Sequence, residues 1–353
     1  MLDPQSVLEV LRPVQDPELQ KSLVDLNMIR NVTVTDGNVS FTLVLTTPAC
    51  PLREFIVDDC KKAVQSLPGV QQVSVEVTAE TPSQKSLPDR QGVTGIKNII
   101  AVSSGKGGVG KSTVAVNIAA ALAQSGAKVG LLDADIYGPN APLMLGLSNA
   151  KIAVQQGQSG EILEPAFNHG IKLASMGFLI DPDQPVIWRG PMLNGIIRQF
   201  LYQVNWGALD YLIVDLPPGT GDAQLTLAQA VPMAGAVIVT TPQAVALMDA
   251  RRGLRMFQQL QVPVLGIVEN MSYFIPPDLP ERQYDIFGSG GGEKTSTELG
   301  LPLLGCVPLE IHLREGGDAG IPIVVGKPES ASAKALVAVA QRVAARVSVA
   351  ALA

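Results

Sequence analysis

Aromatic side chains are scarce in this sequence, 4% of 353 residues, so it has few platforms on which single-stranded nucleic acid could stack. Excess positive charge is missing as well. The net charge of −6 and an isoelectric point near 5.1 argue against a surface built for a phosphate backbone. Only two histidines occur, His169 and His312, and neither neighbours a cysteine, which disfavours a mixed His/Cys metal site. Three cysteines, Cys50, Cys60 and Cys306, are too few and too scattered for a disulfide framework, so a reducing cytoplasm is expected. The segment Met1-Leu2-Asp3-Pro4 lacks the basic-then-apolar layout of a secretory signal. No uninterrupted run of 18 apolar residues appears, and no membrane association is expected.

What the sequence does have is core-forming material: 46% hydrophobic residues against 16% charged. It also has one loop of high information content. Gly105-Lys106-Gly107-Gly108-Val109-Gly110-Lys111-Ser112 fits the phosphate-binding pattern G-x-x-x-x-G-K-[ST]. In that pattern backbone N–H groups of the glycine-rich turn face the phosphates, the final lysine reaches the β/γ oxygens, and the hydroxyl of Ser112 is placed to ligate Mg²⁺. The context is right: Ile99-Ile100-Ala101-Val102 reads as a buried strand, and Ser112 to Gln124 as an Ala-rich helix stopped by Gly126.

The polar, Pro-containing stretch 81–95 reads as a linker between a domain at 1–80 and one at 96–353. The first part has an α+β rhythm. A helix is expected over Gln5 to Leu11, a hairpin over Val32–Thr35 and Val39–Leu45, a helix over Leu52 to Leu67, and a strand over Gln72 to Val77. Beyond the linker, apolar runs at Ile99–Val102, Val129–Asp133, Tyr211–Asp215, Ala236–Thr240, Val264–Val268 and Leu303–Val307 alternate with helical patterns. Strands buried on both faces imply a mostly parallel sheet in a three-layer α/β domain, with ligands at the carboxyl ends of the strands. Asp133 and Asp215 stand at such ends. Asp215 is placed to hold Mg²⁺ opposite Ser112, and Asp135, farther out, is expected to orient the attacking water. The loop Leu216 to Asp222 offers glycine N–H groups that would sense a γ-phosphate. The terminal segment Ala331 to Ala353 carries Leu336, Val339, Val343 and Val347 at helical spacing, without the bulky anchors of an interfacial helix, and is expected to pack on the domain.

The second lysine of the loop, Lys106, resembles the signature lysine of the deviant Walker A ATPases. That class includes the MinD and ParA partitioning ATPases, the nitrogenase iron protein and the Mrp/Nbp35 iron–sulfur carriers. The resemblance implies a homodimer in which Lys106 reaches into the opposite subunit's site as a trans-acting cation, with Lys106 and Asp135 catalytic. It implies that Gly105, Lys106, Gly107, Gly108, Val109, Gly110, Lys111, Ser112 and Thr113 bind ATP, that Asn270 hydrogen-bonds the adenine, and that Val307-Pro308 flanks the base. The motifs Asp135-Ile136-Tyr137-Gly138-Pro139, Arg189-Gly190-Pro191-Met192, Asp215 to Asp222, Thr241-Pro242-Gln243 and Glu269-Asn270-Met271-Ser272-Tyr273 narrow the likeness to the Mrp type over residues 95 to 345. The pieces Asp16-Pro17-Glu18, Leu23 to Leu26 and Thr46-Thr47-Pro48-Ala49-Cys50-Pro51 are similar to the MIP18-like domain often fused to it.

One part of the family pattern is missing. Many Mrp-type carriers have a C-x-x-C pair shortly after Glu-Asn-Met-Ser, from which two subunits build a four-thiolate cluster site. Here the stretch is Phe274-Ile275-Pro276-Pro277-Asp278-Leu279, so the chain resembles the cyanobacterial and chloroplast-type branch that lacks the pair. Cys50 is then the candidate iron–sulfur contact, its thiolate favoured by the helix start that follows, while Cys60 and Cys306 are expected in the core. The implied function is ATP-dependent transfer of iron–sulfur clusters to apoprotein clients, alongside cluster-assembly proteins. The alternative is a MinD/ParA-like partitioning ATPase without a cluster.

Overall fold

The computed structural model describes residues 2–83, 90, 92–136, 138–157, 160–179, 190–219, 221–279 and 281–352. Tyr137, Arg189, Thr220 and residues 84–89 and 91 of the expected linker lie outside them. The chain divides into two compact units, Met1–Pro82 with Ala344–Ala353, and Ser83–Val343.

The first unit begins with α1 (Pro4–Leu11). Pro4 opens the helix, and Asp3 caps it by accepting from the Ser6 N–H at 2.8 Å while the Ser6 hydroxyl accepts from the Asp3 N–H. Two short strands, β1 (Gln15–Asp16) and β2 (Lys21–Ser22), pair antiparallel. The hairpin β3 (Ile29–Thr35) and β4 (Asn38–Leu45) turns at Asp36-Gly37, where both residues have positive φ, the twist that two-residue hairpin turns require. From β4 the chain runs through α2 (Arg53–Gln65) to β5 (Gln72–Ala79), which pairs parallel to β4. Val7, Leu11, Phe41, Leu43, Ile56, Cys60 and Val64 form the core. Ala345 and Val347 are buried, and Ser348 Oγ donates to the Thr46 carbonyl, which is why the last ten residues belong to this unit.

The second unit runs β6 (Ile96–Ser104), α3 (Lys111–Gln124), β7 (Val129–Asp133), α4 (Ala141–Met144), β8 (Ala153–Gly157), β9 (Gly160–Glu164), β10 (Ala166–Asn168), β11 (Ile171–Ser175), α5 (Gly190–Gln203), β12 (Leu209–Asp215), α6 (Asp222–Ala230), β13 (Gly235–Thr240), α7 (Ala244–Gln259), β14 (Val264–Phe274), α8 (Gly291–Leu299), β15 (Leu303–Leu309), α9 (Ile311–Ala319), α10 (Ile323–Gly326) and the part of α11 (Ala331–Leu352) up to Val343. Its sheet has the order β10-β11-β7-β12-β6-β13-β14-β15. All neighbours are parallel except β10 with β11. The six expected strands are present at its centre and far edge. Crossovers through α3 and α7 run in opposite directions along the sheet, so right-handed connections place these helices on opposite faces. The chain steps from β12 across β6 to β13, and the crevice at that reversal lies at the carboxyl ends.

α11 packs as expected, and Cys306 does not. α11 is long and apolar enough to cross a membrane by length and composition, despite its interspersed basic residues. Leu336, Val339, Val343 and Val347 are nevertheless all buried within the protein, each removing about 1.5–3 kcal/mol worth of apolar surface from water. Cys306, expected in the core, is exposed: it lies on the edge strand β15, where alternate residues face outward. Cys60 is sealed inside the first unit, and burial, helped by Asp59, pushes its thiol up to about 12. Cys50 is intermediate. Iodoacetamide at pH 8, read by peptide mass spectrometry, should modify Cys306 first and Cys50 more slowly, and should reach Cys60 only after unfolding. Modification of native Cys60 at the Cys306 rate would contradict this packing.

Candidate functional site

The phosphate loop turns between β6 and α3 at the sheet's reversal point. Two of its glycines are dictated by neighbours. A Cβ at position 105 would collide with the backbone carbonyl of Asp249 on α7, so only glycine lets the loop pass there. Gly110 has φ 82°, and a Cβ on it would collide with the Asn270 amide. Lys106 is exposed at the loop's outer side, and its carbonyl accepts from Ser104 Oγ at 3.0 Å. Lys111 and Ser112 open α3 and are both buried.

Lys111 is the electrostatic centre. Its ammonium lies 2.6 Å from Asp215 Oδ1, 3.3 Å from Asp135 Oδ2 and 3.2 Å from Ser112 Oγ. Burial works against its charge, but Asp215 and Asp135 outweigh that and hold the ammonium above the ordinary lysine value. Asp215 is fully buried, and desolvation raises its carboxyl even though Lys111 opposes the shift. Its second oxygen, Oδ2, is buried without a hydrogen-bond partner. An orphaned buried acceptor costs about 1–3 kcal/mol, more when charged, so a cation is the natural complement to this atom. Asp215 and Ser112 offer oxygen donors of the kind Mg²⁺ takes.

Register brings three strand ends into line: Ser175 of β11 opposite Asp133 of β7, and Asp133 opposite Asp215 of β12. Asp133 Oδ2 accepts from Ser175 Oγ at 2.9 Å and from the Ala141 N–H at 3.2 Å, and Oδ1 accepts from the Asp135 N–H at 3.2 Å. Asp133 therefore ties Asp135 and the start of α4 to the sheet. Sequence reading had not singled out Ser175, whose partner is 42 residues away and leaves no local trace.

Next to the loop lies a cavity of about 390 Å³. Gly110, Thr113, Asn270 and Pro308 line it together with α4 (Leu143, Met144) and α9 (Leu313, Arg314). Asn270 Nδ2 donates to the Val109 carbonyl at 2.9 Å, which fixes the amide's orientation, and Oδ1 is left buried without a partner. The structure thus brings the phosphate loop, Asp135, Asp215 and Asn270 together. The Gly219 N–H, expected to be open to a γ-phosphate, donates instead to the Ser104 carbonyl at 2.8 Å.

Cys50 lies in the other unit, on the loop before α2. There the expected thiolate is not favoured: burial raises its pKa, Glu18 and Asp16 add to the rise, and the Leu52 N–H does not offset them. No group of three or more His, Cys, Asp or Glu side chains able to hold a metal occurs among the described residues.

Asp133 carries a testable consequence. Burial, reinforced by Asp215 and opposed by the Ser175 hydroxyl, pushes its carboxyl up to about 8. The raised folded-state value means that its stabilising contribution is complete below about pH 4 and is lost as pH rises through 8. In urea unfolding without Mg²⁺, Asp133→Asn should gain stability relative to the wild type between pH 5 and pH 8. A constant difference across that window would contradict the buried, protonatable site.

Residues 95–344 match the family described as NUBPL iron-transfer P-loop NTPase, and residues 4–77 match the iron–sulfur cluster assembly protein family. A Synechocystis protein described as an iron–sulfur cluster carrier protein is 80% identical over 352 residues, covering 100% of both chains. One of the same description from Deinococcus radiodurans is 49% identical, covering 98% of this chain and 95% of its own. Among solved structures, a nucleotide-binding protein from Archaeoglobus fulgidus in complex with ADP is 39% identical, with TM-score 0.57, covering 68% of this chain and 91% of that one. The cell division ATPase MinD of Pyrococcus furiosus is 26% identical, with TM-score 0.50, covering 69% and 97%. On these matches, and on the phosphate site they share a fold with, the chain belongs to the family of iron–sulfur cluster carrier P-loop NTPases.

Proposed function

We propose that this chain is a Mg²⁺-dependent ATPase that binds iron–sulfur clusters and delivers them to apoprotein clients in the cytoplasm, with cluster-assembly proteins as the source. The observation that carries the nucleotide half is the continuity of the phosphate loop with the cavity at Asn270. The orphaned Asn270 Oδ1 is an acceptor, which complements the exocyclic amino group of adenine and not the carbonyl oxygen of guanine. The bound ADP of the Archaeoglobus relative supports the same reading. The cargo half is supported by relatives described as cluster carriers over the full length of the chain. That full-length likeness favours cluster transfer over the MinD/ParA-like alternative.

In this mechanism the backbone of residues 105–113 cradles the phosphates and Lys111 neutralises the β/γ oxygens. Mg²⁺, held by Ser112 and Asp215, would supply charge neutralisation at the transferring phosphoryl. Asp135, held by Lys111 and by the Asp133 tie, orients the water. Lys106, exposed on the loop, acts in a homodimer as the cation reaching the site of the opposite subunit. The domains act as an N-terminal cargo module (1–80), a linker (81–95) and an ATPase module that ends at 343 and not, as the sequence suggested, at 353, since 344–353 belong with the first unit. Lys111→Ala should abolish ATP binding in a fluorescent-nucleotide titration. Lys106→Ala should bind ATP near-normally yet lose about 10²–10³-fold in turnover; unchanged turnover would remove the trans-acting lysine.

We further propose that Cys50 contacts the cluster, with the remaining ligands supplied by a second molecule, since the described residues of one chain hold no complete ligand set. The test is anaerobic reconstitution with iron and sulfide quantitation and absorption spectra, on wild type, Cys50→Ser and Cys306→Ser. A cluster should form in the wild type and in Cys306→Ser and be lost in Cys50→Ser. Retention in Cys50→Ser would remove its role.

A further inference from the structure

The segment Pro217–Gly219 follows β12 and borders the phosphate loop. Pro217 and Pro218 have no N–H, so backbone bonds can hold this segment only through its carbonyls and the Gly219 N–H. The Gly219 N–H donates to Ser104 O at 2.8 Å, and the Leu216 N–H just before it donates to Val102 O at 3.0 Å. The other hold comes from α6. Gln224, in the first turns of that helix and 1% exposed, donates from Nε2 to the Pro217 carbonyl at 2.7 Å. Its Oε1 is buried with no hydrogen-bond partner. The helix is itself fastened to α5 by Thr226 Oγ1 donating to Asn194 Oδ1 at 2.5 Å. An apolar side chain of similar length would remove the orphaned Oε1 but leave the Pro217 carbonyl without its donor, so what the amide adds over such a side chain is its hold on that carbonyl.

We propose that Gln224 is a positioning residue for nucleotide hydrolysis. It fixes the Pro217 carbonyl and thereby sets the path of the Pro217–Gly219 turn beside the phosphate loop, without touching nucleotide itself. The proposal rests on the ATPase reading of the site. Its action is confined to the γ-phosphate side, since neither Gln224 nor Pro217 lines the Asn270 cavity.

The test uses the full chain with Gln224→Met, which keeps length and removes the donor, and Gln224→Glu, whose carboxyl donates to the Pro217 carbonyl only when protonated. Steady-state ATP hydrolysis, ADP titration and thermal melting are measured together. Gln224→Met should melt with the wild type and bind ADP within about twofold of it, with an unaltered KM for ATP and kcat about 10- to 100-fold lower. Gln224→Glu should be equally slow at pH 8.5 and regain activity relative to the wild type as pH falls to 5.5, where the buried carboxyl is protonated. Wild-type kcat in both variants would overturn the proposal. So would a loss of ADP affinity that matches the loss of turnover, or a pH-independent Gln224→Glu to wild-type ratio. Absence of hydrolysis in the wild type itself would overturn the ATPase reading, and this inference with it.

Discussion

The structure depends on one buried cation. Lys111 is placed by the first turn of α3 against carboxylates delivered by two different strands, and its charge survives burial only because Asp215 and Asp135 are there. Those carboxylates in turn tolerate burial largely because of Lys111. The mutual dependence explains why the sheet must be parallel and in register: only then do β7 and β12 end beside the helix that begins at the loop. Removing either sign would strand the other in a low-dielectric site, where an uncompensated charge is costly.

Around that pair the site is organised by backbone groups more than by side chains. Asp133 gathers the N–H groups of Asp135 and Ala141, Asn270 takes the Val109 carbonyl, and Gln224 takes the Pro217 carbonyl. Each polar side chain fixes a turn of main chain next to where phosphate or base would lie. Preorganisation of this kind lowers the cost of arranging dipoles when charge develops on a phosphoryl group.

Much of this was legible in the residues. β6, β7 and β12 through β14 are buried on both faces and so read as continuous apolar runs, edge strand β15 is apolar enough to read the same way, and the loop pattern located the phosphates. β11 escaped notice because Lys172 interrupts its run; in the fold its ammonium reaches past the strand's end to the carbonyls of Asn205 and Trp206. The β8–β9 hairpin has little buried surface and therefore no alternation to detect. Cys306 was misplaced because an apolar run does not say whether its strand is central or at an edge. Ser175 and Gln224 were invisible for another reason: a buried polar residue is justified by its partner, and the partner is set by topology.

The close passage of Gly105 against α7 has a consequence for how this site can vary. The obstruction is the main-chain carbonyl of residue 249, which every amino acid possesses, and not the Asp249 side chain. No substitution on the helix can therefore make room for a Cβ in the loop, whereas the helix position itself is free to change its side chain. The constraint runs one way: the loop is bound to the helix's path, and the helix is indifferent to the loop's chemistry.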